Sequence, residues 1–208
     1  MSALPTLLLI VMQCFFVAGS SNTKKIDGSR KSRIVFSQES KMYLNGNTNI
    51  NTYSCDCNMP AGDIPLFFES RLAKVSFKNS ILVIEARSID CHHNLYNRNI
   101  KKALEADQFP EIKVEMLEAW QTTCATLPEK YIWFDVQSKT IITIRDVTLK
   151  QNVSASAMRT GDNTYRIKGN KLLHMNDFKV RMPKFMLGLI RINDEIIFNF
   201  DLVFEIQN

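Results

Sequence analysis

The clearest pattern in the chain lies at its end, where Ile196, Phe198, Phe200, Leu202, Phe204 and Ile206 alternate with Ile197, Asn199, Asp201, Val203 and Glu205. A period of two over this length is that of a β-strand with one inward and one outward face, and half-buried strands of this kind belong to antiparallel sheets. At about 1.5–3 kcal/mol per side chain, the apolar row contributes roughly 9–18 kcal/mol gross when buried. The strand Asp194 to Ile206 therefore needs a deep apolar interior, either a wide side-chain core or the wall of a cavity for an apolar ligand.

Similar patterns recur upstream. Strands are predicted over Arg33–Phe36 and Lys41–Tyr53, the second interrupted at Asn45-Gly46-Asn47, whose residues tolerate positive φ in a turn or bulge. Met59 to Asp63 breaks the pattern. Leu72–Phe77, with Ala73, Val75 and Phe77 on one face, and Ile81–Ile89 read as a hairpin turned by Lys78-Asn79-Ser80. Glu111–Leu117 alternates Ile112, Val114 and Met116 with Lys113 and Glu115, and Lys130–Val136, Thr140–Leu149, Asn152–Met158 and Thr164–His174 are further strands. Only Asn94–Asp107 changes period: Leu95, Ile100, Ala103 and Leu104 fall near helical spacing, with Asn94 as candidate N-cap and Pro110 beyond the end. Many strands, one helix and no repeating βαβ order predict an all-β barrel or sandwich. The helix has few apolar positions and mixed charges, which suits a cover over one end of the barrel.

Composition fits one globular domain over residues 33–208, with 45% apolar residues and little Gly or Pro. Residues 1–20 read as a signal peptide: Leu7 to Ala18 is an apolar run too short to span a bilayer, followed by Gly19 and Ser20, after either of which cleavage is expected. Much of the formal charge of +5 sits in the flexible leader 21–32 and its border, where Lys24, Lys25, Arg30, Lys31 and Arg33 stand against Asp27. The body is close to neutral and has no basic stripe with interleaved aromatics, which excludes a nucleic-acid partner. For the leader a solvated tail is the simple reading and peripheral contact with an acidic membrane the functional one.

Behind the signal peptide stand Cys55, Cys57, Cys91 and Cys124, an even number that predicts two disulfides in an oxidising compartment. Cys55 and Cys57 share a strand face, so each needs a partner elsewhere; Cys55–Cys91 with Cys57–Cys124 is preferred to the crossed pairing, and both remain open. Zinc sites generally use wider Cys spacing than Cys55-Asp56-Cys57, so no metal is expected. His92-His93 beside Asp90 and Cys91 suits a polar turn before the helix, since adjacent histidines do not face one site on a regular element. His174 stands alone. No catalytic residue and no cofactor are expected.

Four separated blocks resemble the bacterial YceI-like family of exported lipid-binding β-barrels: Gly46-Asn47-Thr48-Asn49-Ile50-Asn51; Ser88-Ile89-Asp90-Cys91 through the helix to Asp107-Gln108-Phe109-Pro110-Glu111-Ile112; Ile142 to Leu149; and Leu173 to Phe178 with Asp194-Glu195-Ile196 and the closing strand. They follow the family's order over most of Ser32 to Ile206. Asp146 stands where the family has a turn Gly, and Lys179 replaces the Gly after Asp177-Phe178; Asp tolerates left-handed geometry, Lys does so poorly. The resemblance implies an extended lipocalin-like antiparallel barrel of about eight strands that holds a long isoprenoid or similar amphipathic lipid, in the periplasm or after secretion. A ligand along the inner strand faces would touch Val75, Phe77, Ile112, Val114, Ile142, Ile144, Phe198, Phe200, Leu202 and Phe204. An eight-stranded barrel can equally be filled by its own side chains, so the alternative is a structural or interaction barrel of the envelope without ligand.

Overall fold

A computed structural model describes residues 31–59, 64–71, 74–122 and 128–207. The expected signal peptide and most of the leader lie outside the described residues. Among the described residues eleven strands follow in chain order: β1 (Lys31–Phe36), β2 (Lys41–Thr48), β3 (Thr52–Cys57), β4 (Ile64–Arg71), β5 (Lys74–Glu85), β6 (Glu111–Gln121), β7 (Trp133–Ile144), β8 (Val147–Arg159), β9 (Thr164–His174), the two-residue β10 (Lys184–Phe185) and β11 (Ile190–Gln207). Helix α1 (Asn94–Ala103) lies between β5 and β6. All pairings between the strands are antiparallel.

The sheet is a lipocalin-like barrel whose seam divides. Pairing runs from β4 through β5, β6, β7, β8 and β9 to β11. The C-terminal end of β11 returns to β4 through β1, which matches Phe36 to Phe204 and Ser32 to Leu66. The other end of β11 pairs instead with β2, and β2 with β3. β3 meets the segment after β5 through the backbone bridge of Asp56 with Asp90, beside which Cys55 and Cys91 form a disulfide. Here hydrogen bonding is not continuous around the barrel, and the covalent link stands at the opening.

Several elements depart from the sequence reading. β2 runs straight through Asn45-Gly46-Asn47, and the turn comes at Thr48–Asn51, where the Thr48 hydroxyl meets the Asn51 side chain at 2.6 Å. Gly46 serves close approach: a β-carbon there would collide with the ring of Tyr53 opposite. Lys78-Asn79-Ser80 is a bulge inside one long strand, with Asn79 at φ 54°, and that strand pairs with the unforeseen β4 on one side and with β6 on the other. The predicted strand Thr140–Leu149 is two strands, since Arg145, at φ 57°, and Asp146 turn β7 into β8. The helix is shorter than expected, and His93 caps it: its Nδ1 accepts from the Leu95 N–H at 3.2 Å. Lys179 takes the left-handed conformation in full, φ 57° and ψ 20°, closing the 3-10 turn Met175–Phe178. For a residue with a β-carbon that conformation costs about 1–2 kcal/mol.

The main core lies at the end covered by α1. Ile100 and Leu104 from the helix region pack with Ile84, Ile89, Ile142, Ile144, Leu173, Phe178 and Ile196 into one buried cluster.

Candidate functional site: the barrel interior

Register decides which side chains share the interior. Ile142 on β7 stands opposite Leu149 on β8 and Val114 on β6, and Val114 opposite Leu82 on β5. Farther along, Ser138 faces Ala119, and Ala119 faces Val75. Across the barrel, Phe200 lies opposite Gly169, Leu202 opposite Ile167 and Phe204 opposite Tyr165. All ten residues expected along the inner faces lie on these inward rows. They do not form one patch. Ile142 and Ile144 are buried in the core, Ile112, Val114, Phe198, Phe200 and Leu202 pack against it, and Val75, Phe77 and Phe204 lie toward the far end.

The rows change character along the barrel. At the helix end Ile84, Ile142, Ile144 and Ile196 are buried because Phe178, Ile89, Ile100 and Leu104 fill the space between them. Toward the other end Ile34, Phe36, Val75, Phe77, Val136, Ile167, Leu202 and Phe204 remain partly exposed although their rows point inward. The side chains at both ends are of the same apolar type. From Phe198 to Phe204 this lined wall extends about 20 Å at the usual rise per strand residue.

Its surface is apolar and aromatic. The ring of Phe204 stacks on Tyr165 at 5.9 Å and meets Phe36 edge-on at 6.1 Å; Phe198 and Phe200 are 6.2 Å apart. Phe200 reaches its place because Gly169 has no side chain: a β-carbon there would come within 2.5 Å of the ring and 2.8 Å of the Ser154 carbonyl. The buried hydroxyls of Ser138 and Thr140 donate to the carbonyls of Val153 and Gln151, each at 3.2 Å, so they add no unpaired polarity. Gln121, opposite Val136, has a buried amide nitrogen without a partner among the described residues.

Between β8 and β9 the wall parts. The two strands pair only from Ala155–Gly169 to Arg159–Tyr165, although both continue well beyond. Where they separate, a groove of about 880 Å³ opens on the polar outer face and reaches Phe200, and the Lys171 ammonium spans the gap to the Asn152 carbonyl at 3.1 Å.

The cysteines and histidines sit at the helix end. Cys55–Cys91 is formed. The expected second bridge falls on Cys124, outside the described residues; Cys57 is a buried free thiol, against the expectation that no thiol remains. Burial, reinforced by the neighbouring Asp56 charge, pushes its pKa up to about 12. His92 contacts Asp56 at 3.1 Å, and His174 stands 3.7 Å from Asp194. Among the described residues no group of three or more His, Cys, Asp or Glu side chains is placed to hold a metal ion.

No family model matches the chain, and no curated protein matches it in sequence. Solved structures match in shape. A polyisoprenoid-binding domain from Saccharophagus degradans, implicated in plant cell wall breakdown, superposes with a TM-score of 0.57 at 10% identity, over 84% of this chain and 97% of that one. The fold is YceI-like. BcnA of Burkholderia cenocepacia superposes with a TM-score of 0.52 at 17% identity, over 79% of this chain and 95% of the other. The YceI protein of Campylobacter jejuni gives 0.46 at 14% identity, over 71% and 82%.

Most of the blocks that suggested the YceI-like fold from sequence lie at the helix end: the β2–β3 turn, the segment from Ser88 through α1 to β6, the β7–β8 turn, and the end of β9 with Asp194-Glu195-Ile196; the closing strand alone runs on to the other end. The helix end is the packed end. Phe36, Tyr165 and Gly169, which shape the lined end, escaped the sequence reading. Phe36 closes a strand too short to show alternation, and the apolar row of Tyr165 is broken by Gly169 and Lys171.

Proposed function

We propose that this chain is a binding protein that holds a long isoprenoid or comparable amphipathic lipid lengthwise in the half of the barrel away from the helix. The observation that carries this reading is the set of apolar and aromatic inner rows of β5, β7, β9 and β11, which are buried at Ile84, Ile142, Leu173 and Ile196 and only half-buried at Val75, Phe77, Val136, Ile167 and Phe204. Ligand sites are typically concave and mainly apolar, and the inward apolar and aromatic rows of this half supply a surface of that chemistry. The polyisoprenoid-binding domain with the same fold supports the ligand class. Phe198, Phe200, Leu202 and Phe204 would contact the chain on one side, Val75 and Phe77 on the other, while Ile112, Val114, Ile142 and Ile144 set the floor. The role is carriage or storage outside the cytoplasm, periplasmic or secreted, without catalysis; the Cys55–Cys91 disulfide suits an oxidising compartment.

Native mass spectrometry of protein purified without detergent tests this. An added mass extractable into organic solvent, or stoichiometric uptake of offered polyprenyl lipids with a dependence on chain length, is the expected result. An interior that takes up no isoprenoid of any length would overturn the reading in favour of a barrel filled by its own side chains.

A further inference from the structure

At the packed end the outer surface carries three exposed apolar side chains beside a basic cleft. The segment Lys184–Arg191 is a small hairpin, β10 pairing with the start of β11. Leu187, at its tip, is fully exposed and Leu189 is 72% exposed. Leu187 also holds a φ of 56°, so the hairpin keeps a leucine in a strained conformation only to point it at solvent. Ile50, in the β2–β3 turn, is 64% exposed. Asn49 fixes that turn to the hairpin: its side-chain nitrogen donates to the Leu189 carbonyl at 2.9 Å, and its oxygen accepts from the Arg191 N–H at 2.8 Å. Two separate turns thus present apolar tips from one clamped unit.

The base of the hairpin borders a cleft of about 620 Å³ between α1, the β7–β8 turn and the segment after Lys179. Lys102, Arg145, Lys179, Arg181 and Lys184 line it against one carboxylate, Glu105, which Arg145 already engages at 2.7 Å. Arg145 also donates to the Lys179 carbonyl at 3.0 Å and rests over the ring of Phe109. Lys102, Lys179, Arg181 and Lys184 have no carboxylate partner among the described residues. Glu105, Arg145 and Lys179 all lie at positive φ, where glycine would be unstrained, yet each supplies a charged side chain to the same cleft. A concave site of one sign concentrates counter-ions.

Exposed leucine and isoleucine beside uncompensated lysine and arginine fit the boundary between the head groups and acyl chains of an anionic bilayer, where two weak signals together give stable attachment. We propose that this end of the barrel docks on an anionic phospholipid surface, with Ile50, Leu187 and Leu189 inserted and a head-group phosphate held in the cleft. The described residues contain no helix long and apolar enough to cross a membrane, and docking of this kind needs none. The inference does not rest on the occupant of the interior, because Ile100, Leu104, Ile144 and Phe178 close the barrel beneath the cleft.

Flotation of the chain from Ser21 onward, without the expected signal peptide, with vesicles of phosphatidylcholine alone, and with phosphatidylglycerol added, tests it at low and physiological salt. The expected result is attachment to the anionic vesicles only, weakened about tenfold or more by Leu187→Ser with Leu189→Ser, and by a similar factor by Lys102→Gln with Lys184→Gln. Lys179→Gly should weaken attachment and raise the melting temperature, since it removes a charge and relieves a left-handed residue. Retained uptake of isoprenoid by these variants would mark the docking face as separate from the interior site. The proposal is overturned if wild type ignores anionic vesicles, or if both double variants attach as wild type does while Lys24→Gln with Lys25→Gln in the leader abolishes attachment. It is equally overturned if the chain binds soluble pyrophosphate in the cleft but no vesicle.

Discussion

Phe200 and Gly169 are tightly matched on the inner wall. Gly169→Ala would push a methyl group against the Phe200 ring and the Ser154 carbonyl, and its expected cost is about 1–3 kcal/mol in urea unfolding. Phe200→Leu in the same background should recover part of that loss, which a pair acting independently would not show. Cys57 gives a second prediction at this scale. A thiol buried and held protonated up to about pH 12 is a poor nucleophile at neutral pH, so iodoacetamide should modify it only after unfolding, as read by peptide mass. Rapid labelling of native protein would show that this part of the core opens readily.

Among the elements, the strand faces were legible because alternation survives any choice of partner. Val75 and Phe77 were placed on the inner side correctly even though their strand was read as ending at Phe77. What sequence did not reveal was where strands stop. Lys78-Asn79-Ser80 and Asn45-Gly46-Asn47 carry turn chemistry, yet one is a bulge and the other lies within a strand, while Arg145, poorly suited to positive φ, makes a real turn. In each case tertiary pairing overrides local preference: β6 continues opposite β5 past the bulge, and Tyr53 covers Gly46. The helix capping residue was misread by one position, His93 taking the role expected of Asn94. His93→Ala should therefore cost about 0.5–1 kcal/mol in thermal unfolding and Asn94→Ala distinctly less; equal losses would remove His93 from the cap.

For the whole molecule, the outer face carries charges that tie strands together. Asp201 on β11 takes two hydrogen bonds from Arg166 on β9, both at 2.8 Å, and stands 3.1 Å from Lys168. The Arg166 bonds chiefly hold its carboxyl below the usual range; a hydrogen bond from Lys74 does the same for Glu118, and one from Lys130 for Asp162. Folded values below unfolded ones of about 4 mean that each group adds stability that is complete above the unfolded pKa and lost as pH falls through the folded value. The urea midpoint should be flat from about pH 7 to 5 and fall below about pH 4, and Asp201→Asn should flatten that fall. The change from buried to half-buried residues along the inner rows of β5, β7, β9 and β11 was not visible in sequence, because the same apolar residue types stand at both ends.

The parting of β8 from β9 gives the molecule an uneven clock. Along Val147–Ser154 the chain is bonded to β7 on one side, while on the other its pairing with β9 has ended. Placed in deuterated water, alternate amides of this stretch should exchange within the time that their neighbours, held by β7, stay protonated. Uniformly slow exchange along all of β8 would mean that the two strands spend their time zipped together in solution.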